Sequence, residues 1–228
     1  MQITGFSAKG NREVNQDAIF WDEAQKLFIV ADGMGGETGG EIASKTCIKS
    51  LMISLAGVNE NIEEQLTRSI AKANDIVYQQ AKGENYAMGT TVVIGKIIEN
   101  VLYVANVGDS RAYILRGNTI KQITKDHTAT QELLDLGGIT EQELDNHPNK
   151  GQLTKAIGTD KQVLPDIYKV KLEKNDKLAF LTDGVYNGLA DFELGDLMYK
   201  ELPAMEITNQ ALQSYGKDNA SIIVVYNI

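Results

Sequence analysis

An α+β fold built on antiparallel sheets is what this sequence predicts, and three observations carry the prediction. Short runs of β-branched and aromatic residues are grouped with one another instead of alternating with helices. Glu99-Asn100 and Gly117-Asn118 are two-residue polar turns between such runs, and turns that short join antiparallel strands, because a parallel pair needs a long crossover. Two helices adjacent in sequence, at least one with a clear apolar stripe, can cover one sheet face.

Taken in order, the chain opens with strands at Ile3–Ala8, Ala18–Asp22 and Leu27–Ala31. A helix follows from about Gly39 to Leu55. A second carries Ile62, Leu66, Ile70, Ala73, Val77 and Ala81, a spacing of three and four that puts one stripe on one face. Thr90–Ile98 and Val101–Val107 form one hairpin, and Ala112–Arg116 and Thr119–Ile123 another. A helix near Thr130–Leu136 leads into a polar stretch, Gly137–Gly158. Strands at Asp166–Leu172 and Leu178–Thr182, helices at Asp191–Tyr199 and Pro203–Tyr215, and a last strand at Ser221–Tyr226 complete the reading. Sheet order does not follow from these patterns.

The 228 residues fit one domain, with 43% hydrophobic and 23% charged residues, an ordinary soluble balance. No repeat or low-complexity linker divides the chain, and the three prolines lie outside the periodic segments. Acidic residues outnumber basic ones 31 to 22. That argues against nucleic-acid or anionic-membrane partners, whose phosphates call for clustered Lys and Arg. No apolar run reaches the ~18 residues of a membrane span, and residues 1–15 lack a signal-peptide core. Cys47 is the single cysteine, so no internal disulfide forms and a reducing, cytoplasmic location is expected.

The chemistry is carried by aspartates at strand ends. Leu27–Ala31 runs into Asp32-Gly33, Val101–Val107 into Gly108-Asp109-Ser110, Leu178–Thr182 into Asp183-Gly184, and Asp218-Asn219 precedes the final strand. Any one of these is an ordinary turn by composition. Four of them, with the glycine run between Asp32 and Glu41, suggest a ligand pressed against backbone. Two like charges ~4 Å apart repel by ~4 kcal/mol at an effective dielectric of ~20, so clustered carboxylates must protonate or hold a cation. An all-oxygen site suits Mg²⁺, Mn²⁺ or Ca²⁺.

Seven motifs in order extend the argument: Arg12-Glu13-Val14-Asn15-Gln16-Asp17; Asp32-Gly33-Met34-Gly35-Gly36 with Gly40-Glu41; Met88-Gly89-Thr90-Thr91; Val107-Gly108-Asp109-Ser110-Arg111; Leu153-Thr154-Lys155-Ala156-Ile157-Gly158; Thr182-Asp183-Gly184-Val185; and Asp218-Asn219. The series resembles the bacterial branch of the type 2C (PPM) metal-dependent serine/threonine protein phosphatases over almost the whole chain. The resemblance implies a four-layer α/β/β/α sandwich, two antiparallel sheets flanked by helix pairs, forming a single catalytic domain over 1–228 with a flap-like segment at about 137–158. It implies two Mn²⁺ or Mg²⁺ per chain and a weaker third. Asp32 would bridge two metals and Gly33 lend its carbonyl. Asp183 and Asp218 would complete the first metal's ligands, Asp17 would serve the second, and Asp109 with Asp183 the third. Arg12 would grip substrate phosphate, which suits its planar fork of donors.

Hydrolysis of phosphoserine and phosphothreonine by direct attack of a metal-bridging water, with Arg12, Asp32 and Asp183 as the catalytic set, is the expected function. Other phosphatase chemistries leave no trace: Ile53 stands where a Cys47-based phosphate loop would need arginine, and two histidines, His127 and His147, cannot build a His-rich metal site. Phosphoproteins, including an opposing serine/threonine kinase, are the expected partners. A catalytically weak phosphatase-like scaffold, a structural Ca²⁺ domain and a small-molecule phosphatase remain the alternatives. Met34 stands where many eukaryotic relatives carry a histidine proposed as general acid, Gln16 replaces an acidic residue, Ser221 a threonine, and Lys150 and Lys155 frequent arginines. His127 reads as a structural hydrogen-bonding residue, His147 as a solvent-facing or locally capped one, and Cys47 as core.

Overall fold

The computed structural model describes residues 1–36, 38–57, 61–84, 87–144 and 147–228. In chain order it contains β1 (Gln2–Ala8), β2 (Ala18–Asp22), β3 (Leu27–Ala31), β4 (Gly33–Met34), α1 (Gly39–Ser54), α2 (Ile62–Glu84), β5 (Gly89–Thr90), β6 (Val92–Ile98), β7 (Val101–Val107), β8 (Arg111–Arg116) and β9 (Thr119–Gln122). Then follow α3 (Ala129–Asp135), α4 (Glu141–Leu144), β10 (Asp166–Lys171), β11 (Lys177–Leu181), α5 (Asp183–Tyr186), α6 (Asp191–Tyr199), α7 (Ala204–Ser214) and β12 (Ala220–Tyr226).

Period-two alternation decides the layering. In β3, Leu27, Ile29 and Ala31 pack with Leu51, Leu66, Ile70 and Ala73 of α1 and α2. Phe28 and Val30, on the opposite face, pack with Leu178, Phe180, Ile223 and Val225 of the other sheet. In β12, Ile222 and Val224 turn outward to meet Leu194, Met198, Ile207 and Ala211 of α6 and α7. Three apolar cores therefore separate four layers, α/β/β/α, with one inter-sheet core marked by the stacked rings of Phe28 and Phe180, 5.4 Å apart.

One sheet has the order β10-β7-β6-β3-β2 and the other β1-β12-β11-β8-β9. Pairing is antiparallel throughout, and the two turns expected from sequence close β6–β7 and β8–β9. The first and last strands pair with each other, Gln2 opposite Tyr226 and Ala8 opposite Ala220. That places the segments next to Arg12 and Asp218 side by side although they are some two hundred residues apart in the chain.

The structure departs from the sequence reading in two places, Thr91 and Asp183–Tyr186. The strand expected over Thr90–Ile98 is broken at Thr91, and Gly89–Thr90 pairs instead with Gly33–Met34 in a two-stranded ribbon. The cause is a local hydrogen-bond competition: the Thr91 amide and the Thr90 hydroxyl both donate to the Asp32 carbonyl, at 2.8 Å each. Asp183–Tyr186 is a helical turn that no periodicity announced. Within the polar stretch 137–158, a one-turn helix, α4, sits among turns, and Asp145 and Asn146 lie outside the described residues. Among the described residues no helix is long and apolar enough to cross a membrane.

Candidate metal centre and active site

Every aspartate singled out from sequence sits at the end of a strand, and both sheets contribute. Asp17 precedes β2, Asp32 follows β3, and Asp109 follows the turn after β7. From the other sheet, Asp183 follows β11 and Asp218 precedes β12. A cleft of about 1030 Å³ opens there, lined by Arg12, Asp32, Gly33, Asp109, Asp183 and Asp218 among others. Asp17 lies behind its wall, buried, its Oδ2 accepting from the hydroxyls of Thr182 (2.9 Å) and Ser221 (2.6 Å).

Crowding shows in the electrostatics. Burial pushes the Asp17 carboxyl up to about 7, against the pull of the Ser221 and Thr182 hydroxyls and with the charge of Asp218 adding to the rise. Asp183 also rises to about 7, through burial and then the charges of Asp218 and Asp17. Asp109 reaches about 7 through burial, with Asp183 and Asp126 contributing. Asp32, central to the group, is held well above the carboxylate range by burial and by Asp17, Asp183, Asp109 and Asp218 together. Divalent cations held among these carboxylates would offset the mutual charge and the burial that displace them.

The donor set fits such a cation. It is all oxygen, which suits Mg²⁺ or Mn²⁺. Asp17 Oδ1 and Asp183 Oδ1 are buried with no hydrogen-bond partner, a costly arrangement that ligation would satisfy. Among the described residues no three acidic, His or Cys side chains already close around one point. One reason is visible: Asp218 is engaged by Arg12, whose Nε and Nη2 donate to its two carboxylate oxygens at 3.0 and 2.8 Å. Both side chains are partly exposed, so this fork is free to exchange its partner.

Gly33, beside Asp32, has a packing task as well as a place on the cleft wall. A Cβ on Gly33 would stand 2.1 Å from the Gly40 carbonyl oxygen and 2.5 Å from that of Gln16. Here bare backbone lets the start of α1 press against β4, a chain-to-chain approach as well as a cleft wall.

Several supporting residues carried no role in the sequence reading. Thr91 accepts from the Asp32 amide (3.0 Å) and shares a 2.6 Å hydrogen bond with Ser110, so it fixes the backbone of the central aspartate. Tyr186 donates to Asp109 Oδ2 at 3.3 Å, and its ring lies 3.6 Å below the Arg111 guanidinium, which is itself forked onto Asp126. Asn219 accepts from the Gln16 amide (2.8 Å) and donates to the carbonyls of Lys9 (2.9 Å) and Val14 (3.0 Å). That one side chain staples the loop bearing Arg12 to the start of β12. Thr91, Ser110, Arg111 and Asn219 fall within the motif series with no task assigned to them, and Tyr186 falls outside it, because their partners lie elsewhere along the chain. Asn219→Ala removes three hydrogen bonds from a buried position, so unfolding free energy is expected to fall by about 2–3 kcal/mol, measured by urea denaturation.

The remaining assignments sort clearly. Lys155 and Met34 line the cleft, and Lys150 and His147 do not. His127 is structural, as read: its Nδ1 accepts from the Gly108 amide at 3.0 Å and its Nε2 faces Asp166 at 3.3 Å. His147 caps locally, accepting from the Asn149 amide at 3.2 Å. Cys47 is fully enclosed in the core under α1.

Known proteins share this arrangement. The family model for protein phosphatase 2C matches residues 10–221. Protein phosphatase PhpP of Streptococcus pneumoniae is 32% identical over an aligned length of 239, covering 99% of this chain and 97% of that protein. The serine/threonine phosphatase of S. agalactiae superposes with a TM-score of 0.92 at 30% identity, over 100% of this chain and 99% of its own. The catalytic domain of the serine threonine protein phosphatase PstP, solved in complex with two manganese ions, superposes with a TM-score of 0.87 at 27% identity, covering 98% and 96%. The chain belongs to the protein phosphatase 2C family, the metal-dependent serine/threonine protein phosphatases.

Proposed function

We propose that Asp17, Asp32, Asp183 and Asp218, with the Gly33 carbonyl, hold a pair of Mn²⁺ or Mg²⁺ ions, that Asp109 with Asp183 holds a weaker third, and that Arg12 grips the phosphate of a phosphoserine or phosphothreonine. The observation that carries this reading is the convergence of strand-end aspartates from both sheets on one cleft, their acidities displaced together by burial and mutual charge. When bound, such a metal pair supplies Lewis acidity and lowers the pKa of a water toward ~7. The chain's own part is positioning. Asp32, with its backbone fixed by Thr90 and Thr91, feels the charges of Asp17, Asp183, Asp109 and Asp218 and would hold the metal pair from among them. Asp183 and Asp218 approach from the facing sheet. Arg12, on a loop stapled by Asn219, presents a planar fork that can leave Asp218 for two phosphate oxygens.

The same reading treats residues 1–228 as one catalytic domain. Segment 137–158 then serves as a flap, with Gly151, Leu153, Thr154, Lys155 and Ala156 on the cleft wall. It also places the enzyme in the cytoplasm, opposing a serine/threonine kinase. Metal-stripped protein given a phosphothreonine peptide is expected to be inert, and Mn²⁺ or Mg²⁺ to restore turnover. A folded, metal-loaded protein that hydrolyses no phosphothreonine or phosphoserine peptide would overturn the proposal. Arg12→Ala is expected to raise KM for phosphopeptide by roughly 10- to 100-fold, the worth of a charge-assisted fork, with Arg12→Lys recovering part of it. Steady-state kinetics on the two variants check this.

A further inference from the structure

We propose that a groove beside the catalytic cleft receives an apolar side chain of the substrate polypeptide, so that phosphoresidues with an apolar neighbour are preferred. The inference rests on the phosphoprotein reading above and specifies which phosphoproteins fit. The groove, of about 580 Å³, runs between α2 and the β4–β5 ribbon and is walled by Met34, Tyr78, Ala81, Ala87 and Met88. Met34, Gly35 and Thr159 belong to both the groove and the cleft, so the two are continuous.

Scale and chemistry both point to one or two flanking side chains. Met34 lies two residues beyond Asp32 along an extended segment, which at ~3.3 Å per residue is ~7 Å. An extended peptide with its phosphoresidue over Asp32 therefore brings a side chain one to three positions away to the groove mouth. The described residues lining the groove include no acidic side chain. Its charged member, Lys82, lies with its ammonium 4.7 Å from the centre of the Tyr78 ring. An apolar side chain leaves water there against Met34, Ala81 and Met88.

The groove is also preformed. Thr90 and Ile157 exchange backbone hydrogen bonds of 3.0 and 2.8 Å, and the Gly158 amide donates to Asn74 Oδ1 of α2 at 2.8 Å. Gly158 has φ +88, and a Cβ there would stand 2.4 Å from Val77, so glycine allows this segment to lie flat against α2. A rigid floor spares the ordering cost of binding. A small phosphate ester carries no flanking side chain to place in the groove, which separates the groove's contribution from the chemistry itself.

The test compares phosphothreonine peptides that differ at the flanking positions, Leu against Gly or Asp, with a small aryl phosphate as the control substrate. Wild type with Mn²⁺ is expected to favour a Leu-flanked peptide by roughly tenfold or more in kcat/KM, mostly through KM, the worth of one buried side chain. Ala81→Glu, placing a charge in the wall, is expected to bring that ratio close to one while aryl phosphate turnover stays unchanged. Should Ala81→Glu lose aryl phosphate turnover as well, Tyr78→Ser makes the same comparison without adding a charge. Equal kcat/KM across the peptides in wild type, or a preference that survives a variant still active on aryl phosphate, overturns the groove. Failure of wild type on peptides and aryl phosphate alike strikes the phosphatase reading instead, a distinguishable result.

Discussion

Asp183→Asn is expected to lower phosphopeptide turnover by about a thousandfold or more, since one preorganised electrostatic group of this kind is commonly worth 10²–10³ and, on the proposed assignment, a metal ligand goes with it. The substitution keeps the shape of the side chain, and its amide oxygen can still accept from Asn187, which donates to Asp183 Oδ2 at 3.3 Å. Folding should survive, and in the metal-free state it should improve. The Asp183 carboxyl is driven up to about 7 from 3.8 by burial and by the charges of Asp218 and Asp17. At neutral pH the unfolded chain ionises this group freely while the folded chain resists, so the wild type loses stability that an amide does not lose. Metal-free Asp183→Asn should therefore melt above metal-free wild type at pH 8 and gain less from added Mn²⁺. Lost activity accompanied by a lower melting temperature without metal would point to damage of the fold and remove the support for a ligand role.

Stripping the metal from wild type should make its stability fall with rising pH in a defined window. Asp17, Asp109 and Asp183 have folded values of about 7, above the 3.8 of an unperturbed carboxyl. Well below about pH 4 these groups are protonated in both states. Between about 4 and 7 the unfolded chain has released these protons and the folded chain retains them. Stability then declines across that interval and levels off above it. Mn²⁺ reverses the loss by taking the place of the protons. At a free concentration one hundred times its dissociation constant, an ion that binds only the folded chain adds about 2.7 kcal/mol, or about 5–10 °C in melting temperature for a domain of this size. Metal uptake at pH 7 should also release protons into weakly buffered solution. Melting curves from pH 4 to 8, with and without Mn²⁺, measure the first two effects, and a flat metal-free profile would contradict the coupled carboxylates.

Exchange at Asp218 links the two results. The Arg12 fork neutralises Asp218 in the absence of metal. Its guanidinium is raised above its ordinary value by hydrogen bonding to Asp218, so it remains charged throughout the window above. On the proposed assignment, a cation would take Asp218 and a substrate phosphate would take Arg12, so binding of both would separate this pair.

Much of this protein was legible in its residues. Period-two runs, two-residue turns and the stripe from Ile62 to Ala81 specified the antiparallel sheets and the helix that covers one of them, because burial on a known face is a local demand that every residue in the run repeats. The aspartates at Asp32, Asp109, Asp183 and Asp218 were visible as candidates for the same reason: each interrupts an apolar strand where a charged residue must leave the core. The motif order then named the family.

What the sequence left open depends on contacts between distant segments. Pairing of β1 with β12, which sets Arg12 beside Asp218, comes from packing two sheets and has no local signature. The break at Thr91 arises from hydrogen bonds with the Asp32 carbonyl, a partner nearly sixty residues away, and strand propensity does not register it. Asn219 looked like a turn residue until three bonds to the opening loop gave it a structural task. Local propensity is short-ranged, whereas the cleft and its groove are built where chain ends and loops meet. Local pattern determined the antiparallel sheets, and the motif order the family and, through that resemblance, the four layers; only the tertiary structure decided which carboxylates share charge, which arginine answers them, and what lies beside them for a substrate to touch.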